Sequence, residues 1–227
     1  EELREKNTIF IHNRYFWVYF DDFSKVESDF KVPIFGSRSL LKTEERDQSL
    51  NQYHLLEKAG IRIPKMYKKP EDIDRLVLVK VNEAERGYER SFFTAASYEQ
   101  YKEKSDVLIK KGTIKKDALE KATIEEFIIG AQINLNFFYS PFAGEVELMG
   151  TDMRRQTNLD GLLRLPEWTQ VDIKDSVEVK MVETGHVAVT MKESLIEKAM
   201  ELGEKFVKIT QKECAPGIIG PFALQGA

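Results

Sequence analysis

RLVLVKVNEAERGYERSFFT, residues 75–94, is the stretch on which the fold turns. Its first part, a β-branched and leucine run closing on Lys80, reads as a buried strand, and Ser91-Phe92-Phe93-Thr94 reads as the returning partner. A strand, a loop and a returning strand with a lysine at the first corner suggest a flap over a phosphate chain. Such a flap brings bare backbone close to the anion and therefore needs several glycines. This loop has one, Gly87, among Glu83, Glu85 and Glu89. It is a phosphate clamp, a degenerate clamp or an ordinary hairpin, and its surroundings have to decide which.

Upstream, residues 8–11 and 16–20 carry strand-like apolar content around the polar His12-Asn13-Arg14, and residues 31–36 form another short strand closing on glycine. These pieces look like the tail of an α/β unit. SLNQYHLLEKAG, residues 49–60, reads as a helix with Ser49 as cap, Gln52 as capping-box partner and Gly60 just past its end. PEDIDRLVLVKV is then a turn, a helical turn and a strand. Downstream, residues 97–120 form a charged helical region broken at Gly112, with Tyr101, Val107, Leu108 and Ile109 facing inward. Residues 122–130, ATIEEFIIG, read as a buried strand. QINLNFFYS and EVELMGTDM are two more, joined by the turn PFAG. LIEKAMELGEKFVKITQKE is an amphipathic helix in which Leu195, Ala199, Leu202, Phe206 and Ile209 recur at helical spacing. Hairpins alternating with helices predict an α+β fold in two lobes rather than one doubly wound sheet.

At 227 residues, the chain suffices for one large domain or two small ones, and 42% hydrophobic content with 14 Phe and 8 Tyr supports a real core. A net charge of −4 and a pI near 5.6 argue against a nucleic-acid-binding face, although a local basic pocket stays open. One cysteine, Cys214, excludes an intramolecular disulfide and disfavours a cysteine-based zinc site. No apolar run approaches the ~18 residues of a membrane span. EELREKN is not a signal peptide, so a cytoplasmic protein is expected. The first residues open on the last turns of a helix and the final ones stop at the end of a strand, which suggests a fragment.

No nucleophile–base signature stands out. The three histidines, His12, His54 and His186, are far apart in sequence, and neither a GxxxxGKS loop nor a GxGxxG opening a helix occurs. Glu125 and Glu126 are neighbours in a strand, so one can face a buried cleft while the other meets solvent. A buried carboxylate wants a hydrogen-bond donor, and an adenine amino group could supply one. Arg154 and Arg155 with Gln156, Asn158 and Asp160 form a polar cluster between strand and loop. It is either a solvated turn or a phosphate site, since guanidinium forks chelate phosphate oxygens. Gln225, in a strand after Gly220-Pro221-Phe222, could offer an amide oxygen to a hard cation such as Mg²⁺.

The order of these parts is more specific than any one of them, and it resembles the ATP-grasp fold, in which two α+β lobes hold ATP. The wording narrows it. VPIFGSRSLL, LLEKAGIRIPK, PEDID, IEEFIIG, FFYSP, EVELMGTDMR, TNLDGLLRLP, TGH, ESLIEKAMELGEKFV and GIIGPFALQ resemble the archaeal FAICAR synthetases over nearly the whole chain. These are the formate-dependent 5-formaminoimidazole-4-carboxamide ribonucleotide synthetases of purine biosynthesis. The resemblance implies a ligase that uses ATP to activate formate as formyl phosphate, which the 5-amino group of AICAR then attacks. It implies residues 1–38 as the tail of an N-terminal α/β domain, 39–127 as the small lobe with a flap at 82–90, and 128–227 as a truncated C-terminal lobe. Lys80 and the flap with Gly87 would meet the phosphates of ATP. Glu125, Glu126 and the backbone through Ile128 would read adenine, and Gln156 stands where the family has an ATP-contacting glutamate. His186 stands at an asparagine, and Tyr15 at a serine, that contact the AICAR nucleotide. Gln225 matches the first of two Mg²⁺ (or Mn²⁺) ligands. Family members assemble as homo-oligomers.

The departures fall at ligand positions. The family flap reads like GARGGRGYF, whereas NEAERGYERSFF is longer, has one glycine and gains carboxylates that repel a triphosphate. Gln156 and Tyr15 point the same way. Three readings stand: a FAICAR synthetase-type ligase, a catalytically silent homologue acting as a binding or regulatory subunit, and an ATP-grasp ligase with a changed acceptor. On the first, Lys80→Ala weakens ATP binding with little loss of fold.

Overall fold

Val77 and Val79 face one way along their strand and Leu78 and Lys80 the other, and this alternation organises one of the two compact units of the chain. The structure, a computed structural model, describes residues 1–11, 29–44, 48–81, 92–155, 157–177 and 184–227. The expected strand at 16–20 and the flap at 82–90 lie outside the described residues. One unit comprises Pro64–Ile133 and Asp152–Val189, with Ala227; the other comprises Glu1–Ile63, Asn134–Thr151 and Thr190–Gly226.

The unit built around Val77 holds a four-stranded sheet of β3 (Met66–Tyr67), β4 (Val77–Lys80), β5 (Phe92–Ala95) and β6 (Thr123–Glu126), in the order β3-β6-β4-β5. Every neighbouring pair is antiparallel. The pleat sends Tyr67, Val77, Val79, Phe93, Ala95 and Ile124 to one face, all buried in a single cluster with Tyr101 and Ile114. Tyr101 comes from helix Tyr98–Lys110. Ser97 caps this helix by accepting from Gln100 N (3.3 Å), while Gln100 Oε1 accepts from Ala96 N (3.0 Å). The helix ends as expected at Gly112, at φ 72°, where Thr113 N reaches back to Leu108 O. Val107, expected inside, is 46% exposed. It sits about 200° round the helix from the buried Ser105, on the solvent side.

The strand expected at residues 122–130 is shorter than its apolar content suggested. The ladder stops at Glu126 and one further bond, Phe127 N to Leu76 O, and Phe127, Ile128 and Ile129 are 38, 41 and 84% exposed. They form a surface segment, not the buried strand their side chains predicted.

In the other unit, β1 (Phe10–Ile11) pairs in parallel with β2 (Ile34–Phe35). The helix Gln52–Lys58 is capped by Asn51, whose side chain accepts from His54 N at 3.1 Å, rather than by Ser49. Gly60, at φ 68°, ends it as expected: Gly60 N bonds Glu57 O and Ile61 N bonds Leu56 O, satisfying the last carbonyls. β7 (Ile133–Ser140) and β8 (Glu145–Arg155) form the hairpin around PFAG, and β7 is flanked on its other side by β10 (Gly220–Gly226). From Asp152 onward β8 belongs to the first-described unit, where it pairs antiparallel with β9 (Gly185–Ala188).

The long helix Ile196–Glu213 packs differently from its hydrophobic pattern. Its buried residues are Ala199, Gly203, Val207 and Thr210, whereas Leu202, Phe206 and Ile209 are half-buried and Leu195 precedes the helix. The small residues face β7: a Cβ on Gly203 would lie 2.8 Å from Phe137 Cε1. Close approach, not bulk, sets this contact. No helix among the described residues is long and apolar enough to cross a membrane.

Candidate functional site

Lys80 ends β4 on the face opposite the hydrophobic core. Across the ladder Leu78 opposes Glu125 and Lys80 opposes Thr123, so the pleat puts Lys80 and Glu125 on that same face. Lys80 Nζ pairs directly with Glu125 Oε1, and the side chains are only 18 and 7% exposed. The donor a buried Glu125 requires is therefore this lysine. An ion pair so shielded is held by mutual need, since either charge alone would be costly to bury. Chemically it is an ammonium fixed at the corner of a strand that leads into residues 82–90.

Glu126 points elsewhere. Its carboxylate accepts from Arg75 Nη1 (3.2 Å) and Lys65 N (3.3 Å), while its own backbone N donates to Lys65 O (2.8 Å). Arg75 Nε also donates to Asp74 at 3.0 Å, as does Lys65 Nζ at 2.9 Å, and the Tyr67 hydroxyl donates to the same carboxylate. Hydrogen bonds from Tyr67, then Lys65 and Arg75, hold the Asp74 carboxyl well below the ordinary carboxylate range. Asp74, and after it Glu126, push the Arg75 guanidinium up, and burial followed by Asp74 raises the Tyr67 phenol. This network clamps the end of β6 and so fixes where the exposed segment through Ile128 begins.

A second cluster lies on the β8–β9 ladder, where Arg154 opposes His186 and Asp152 opposes Ala188. Asp152, Arg154 and His186 thus share one face of the sheet. His186 Nδ1 lies 2.5 Å from Asp152 Oδ1, with the imidazole 44% and the carboxylate 18% exposed. Arg154 and Arg155 are not in a turn, because β8 runs through Arg155, and both are half-buried. Arg155 opposes Gly185. Asn158 is exposed at the start of the short helix Leu159–Leu162. Sequence reasoning missed Asp152. Its alternation with Arg154 along the strand was the available signal, but its histidine partner is 34 residues away.

Gln225 is exposed on β10. Among the described residues no group of three or more His, Cys, Asp or Glu could hold a metal ion. His54 Nε2 lies 3.9 Å from the Glu213 carboxylate. Tyr15, Gly87 and Gln156 lie outside the described residues.

Solved structures share this fold. An IMP biosynthesis protein PurP from Thermococcus kodakaraensis matches with a TM-score of 0.64 and 26% identity, over 96% of this chain and 60% of that one. A carboxyaminoimidazole ribonucleotide synthase from Aspergillus clavatus complexed with ATP matches with a TM-score of 0.58 and 16% identity, over 98% of this chain and 51% of that one. A D-alanine–D-alanine ligase from Bacillus anthracis complexed with ATP gives a TM-score of 0.54 at 14% identity, over 99% and 66% of the two chains. The fold is the ATP-grasp fold, α+β as expected.

The family described as "Domain of unknown function (DUF1297)" matches residues 100–227, more than half of the chain, and the chain belongs to it. A second, "Protein of unknown function (DUF1246)", matches residues 1–67. Among curated relatives, the 5-formaminoimidazole-4-carboxamide-1-(beta)-D-ribofuranosyl 5′-monophosphate synthetase of Methanothermobacter thermautotrophicus is 42% identical over 99% of this chain and 60% of its own. That of Methanocaldococcus jannaschii is 40% identical over the same shares. The resemblance to the archaeal FAICAR synthetases is borne out, and the chain spans about 60% of the length of these relatives.

Proposed function

We propose that the protein is an ATP-dependent ligase that formylates AICAR to FAICAR with formate as one-carbon donor. ATP transfers its γ-phosphoryl group to formate, giving ADP and formyl phosphate. The 5-amino nitrogen attacks the formyl carbon, the bond from that carbon to the phosphate oxygen breaks, and phosphate and the amine proton leave. Such chemistry asks the protein for positioning and charge neutralisation rather than a nucleophile. A sequence without a nucleophile–base pair suits it.

The observation that carries this reading is Lys80: an ammonium held by Glu125 at the end of a strand, on the non-core face of its sheet, in a fold shared with ATP-complexed ligases. Lys80 neutralises phosphate charge, and Glu125 keeps it in place. The segment from Glu126 to Ile128 reads adenine and Arg154 contacts phosphate, while Arg155, on the opposite face of β8, and Asn158 keep the phosphate roles expected from the sequence. His186 contacts the ribonucleotide. Tyr15, Gly87 and Gln156 keep the roles drawn from the resemblance, as do the domain boundaries after residues 38 and 127 and a homo-oligomeric state. Gln225 offers one exposed amide oxygen, and no cluster of three or more His, Cys, Asp or Glu accompanies it among the described residues. Mg²⁺, when bound, would neutralise the triphosphate, with Gln225 as a protein donor. The reaction belongs to the cytoplasm, where ATP and AICAR are found.

The test is incubation of the protein with ¹³C-formate, ATP, Mg²⁺ and AICAR. Labelled FAICAR with equimolar ADP is expected, dependent on every component. ATP cleavage without FAICAR would favour a changed acceptor, and absence of ATP binding a silent homologue. The glycine-poor loop is the observation favouring the latter. If that loop has simply degenerated, Glu83→Gly, Arg86→Gly and Glu89→Gly together should raise ATP affinity.

A further inference from the structure

Handling ATP gives no role to the contact between Asp152 and His186. We propose that Asp152 is a positioning residue that makes His186 a directed hydrogen-bond acceptor for an amino or hydroxyl group of the bound ribonucleotide. The nature of that ligand rests on the ligase reading above; the geometry of the pair does not.

His186 and Arg154 are direct cross-strand partners, and Asp152 sits diagonally from His186 on the same face. An ionised carboxylate only accepts, so at 2.5 Å the proton of the contact belongs to His186 Nδ1. In the neutral form of the ring the lone pair is then on Nε2. Asp152 is the shielded anchor, at 18% exposure, and the imidazole it holds is 44% exposed. An asparagine, the residue the resemblance places here, can both donate and accept. A neutral imidazole whose Nδ1–H is spent on Asp152 offers a ligand only the Nε2 acceptor, so in that form the substrate atom opposite is a donor. Arg154 beside it offers only donors, which suits an anionic oxygen. The face therefore divides its labour: guanidinium for phosphate or carboxylate oxygen, imidazole for an N–H or O–H of the base or ribose.

Asp152→Asn tests this, because an amide can donate to Nδ1 and drive the proton to Nε2, leaving the shape unchanged. Replacement of the orienting Asp by Asn in a serine-protease triad acts through the same wrong tautomer. Long-range ¹H–¹⁵N spectra of ¹⁵N-histidine-labelled protein, with His186 assigned from a His186→Asn spectrum, should show Nδ1–H in the wild type and Nε2–H in Asp152→Asn. Titration with AICAR should show about tenfold weaker binding in Asp152→Asn, the loss of roughly one buried hydrogen bond. ATP affinity and melting temperature should not change, and Asp152→Glu should recover most of the loss. An Nε2–H tautomer in the wild type overturns the proposal, and so does a switched tautomer with unaltered AICAR affinity. If wild-type protein binds no AICAR, the ligase reading fails instead, and the spectra still decide whether Asp152 orients His186.

Discussion

Replacing Lys80 with alanine removes an ammonium from a contact in which the partner carboxylate is 7% exposed. Breaking a buried pair by deleting one member costs about 3–5 kcal/mol, because the surviving charge stays desolvated. Lys80 itself is 18% exposed, so some solvent already screens the pair and the lower end applies. A loss of about 3 kcal/mol is expected, a large part of the roughly 5–15 kcal/mol by which domains are stable. The expectation from sequence alone, that this substitution would spare the fold, does not allow for Glu125. Urea unfolding of ligand-free protein at pH 7, followed by circular dichroism, measures it. Lys80→Met keeps the aliphatic stem, and Glu125→Gln removes the charge that Lys80→Ala strands. In the double variant Lys80→Ala with Glu125→Gln, part of the loss should return, giving a coupling of at least ~1 kcal/mol. ATP affinity should fall at least tenfold in Lys80→Ala, since a charge-assisted hydrogen bond contributes about 1.5–3 kcal/mol. A stability loss below about 0.5 kcal/mol, the size of an ordinary surface change, would refute the mutual dependence of the two charges.

Gly203→Ala should destabilise the protein by about 1 kcal/mol, since overpacking against a buried ring outweighs the gain in helix propensity. Phe137 is 1% exposed and stacked on Phe222 at 5.0 Å, and a rise in melting temperature would mean the ring can yield. Because the Asp74 carboxyl is held below its ordinary range, its stabilisation is full above the unfolded carboxylate range, about 4, and is lost as the pH falls below it. The stability gap between wild type and Asp74→Asn should therefore narrow between pH 7 and pH 3 in urea titrations; a constant gap would contradict this. Burial, then Glu213, pushes the Cys214 thiol up, so iodoacetamide should label it slowly in folded protein and rapidly in urea. Equal rates would contradict its placement.

Strong periodicity made much of the fold legible. The run ending at Lys80, the hairpin around PFAG and the glycines at 60 and 112 each state their geometry in a few residues, through alternation, turn chemistry or positive φ. Contacts between distant segments were less legible. Gly203 is buried because Phe137 presses on it, which no helical wheel of large side chains reveals. Phe127, Ile128 and Ile129 look like core in sequence, yet the ladder ends before them. At the site, Lys80, Glu125, Arg154 and His186 were recognisable as candidates, but their pairings were not. The strand register sets Glu125 beside Lys80 and Asp152 beside His186, and register is a property of the assembled sheet.

Calorimetric titration of the protein with ATP in the presence of Mg²⁺ tests the central claim most directly. A nucleotide held by Lys80 should bind with micromolar affinity, and Lys80→Ala should weaken that binding at least tenfold, about 1.4 kcal/mol. No detectable heat from protein that is folded by circular dichroism would contradict the account and leave the ATP-grasp fold serving another purpose.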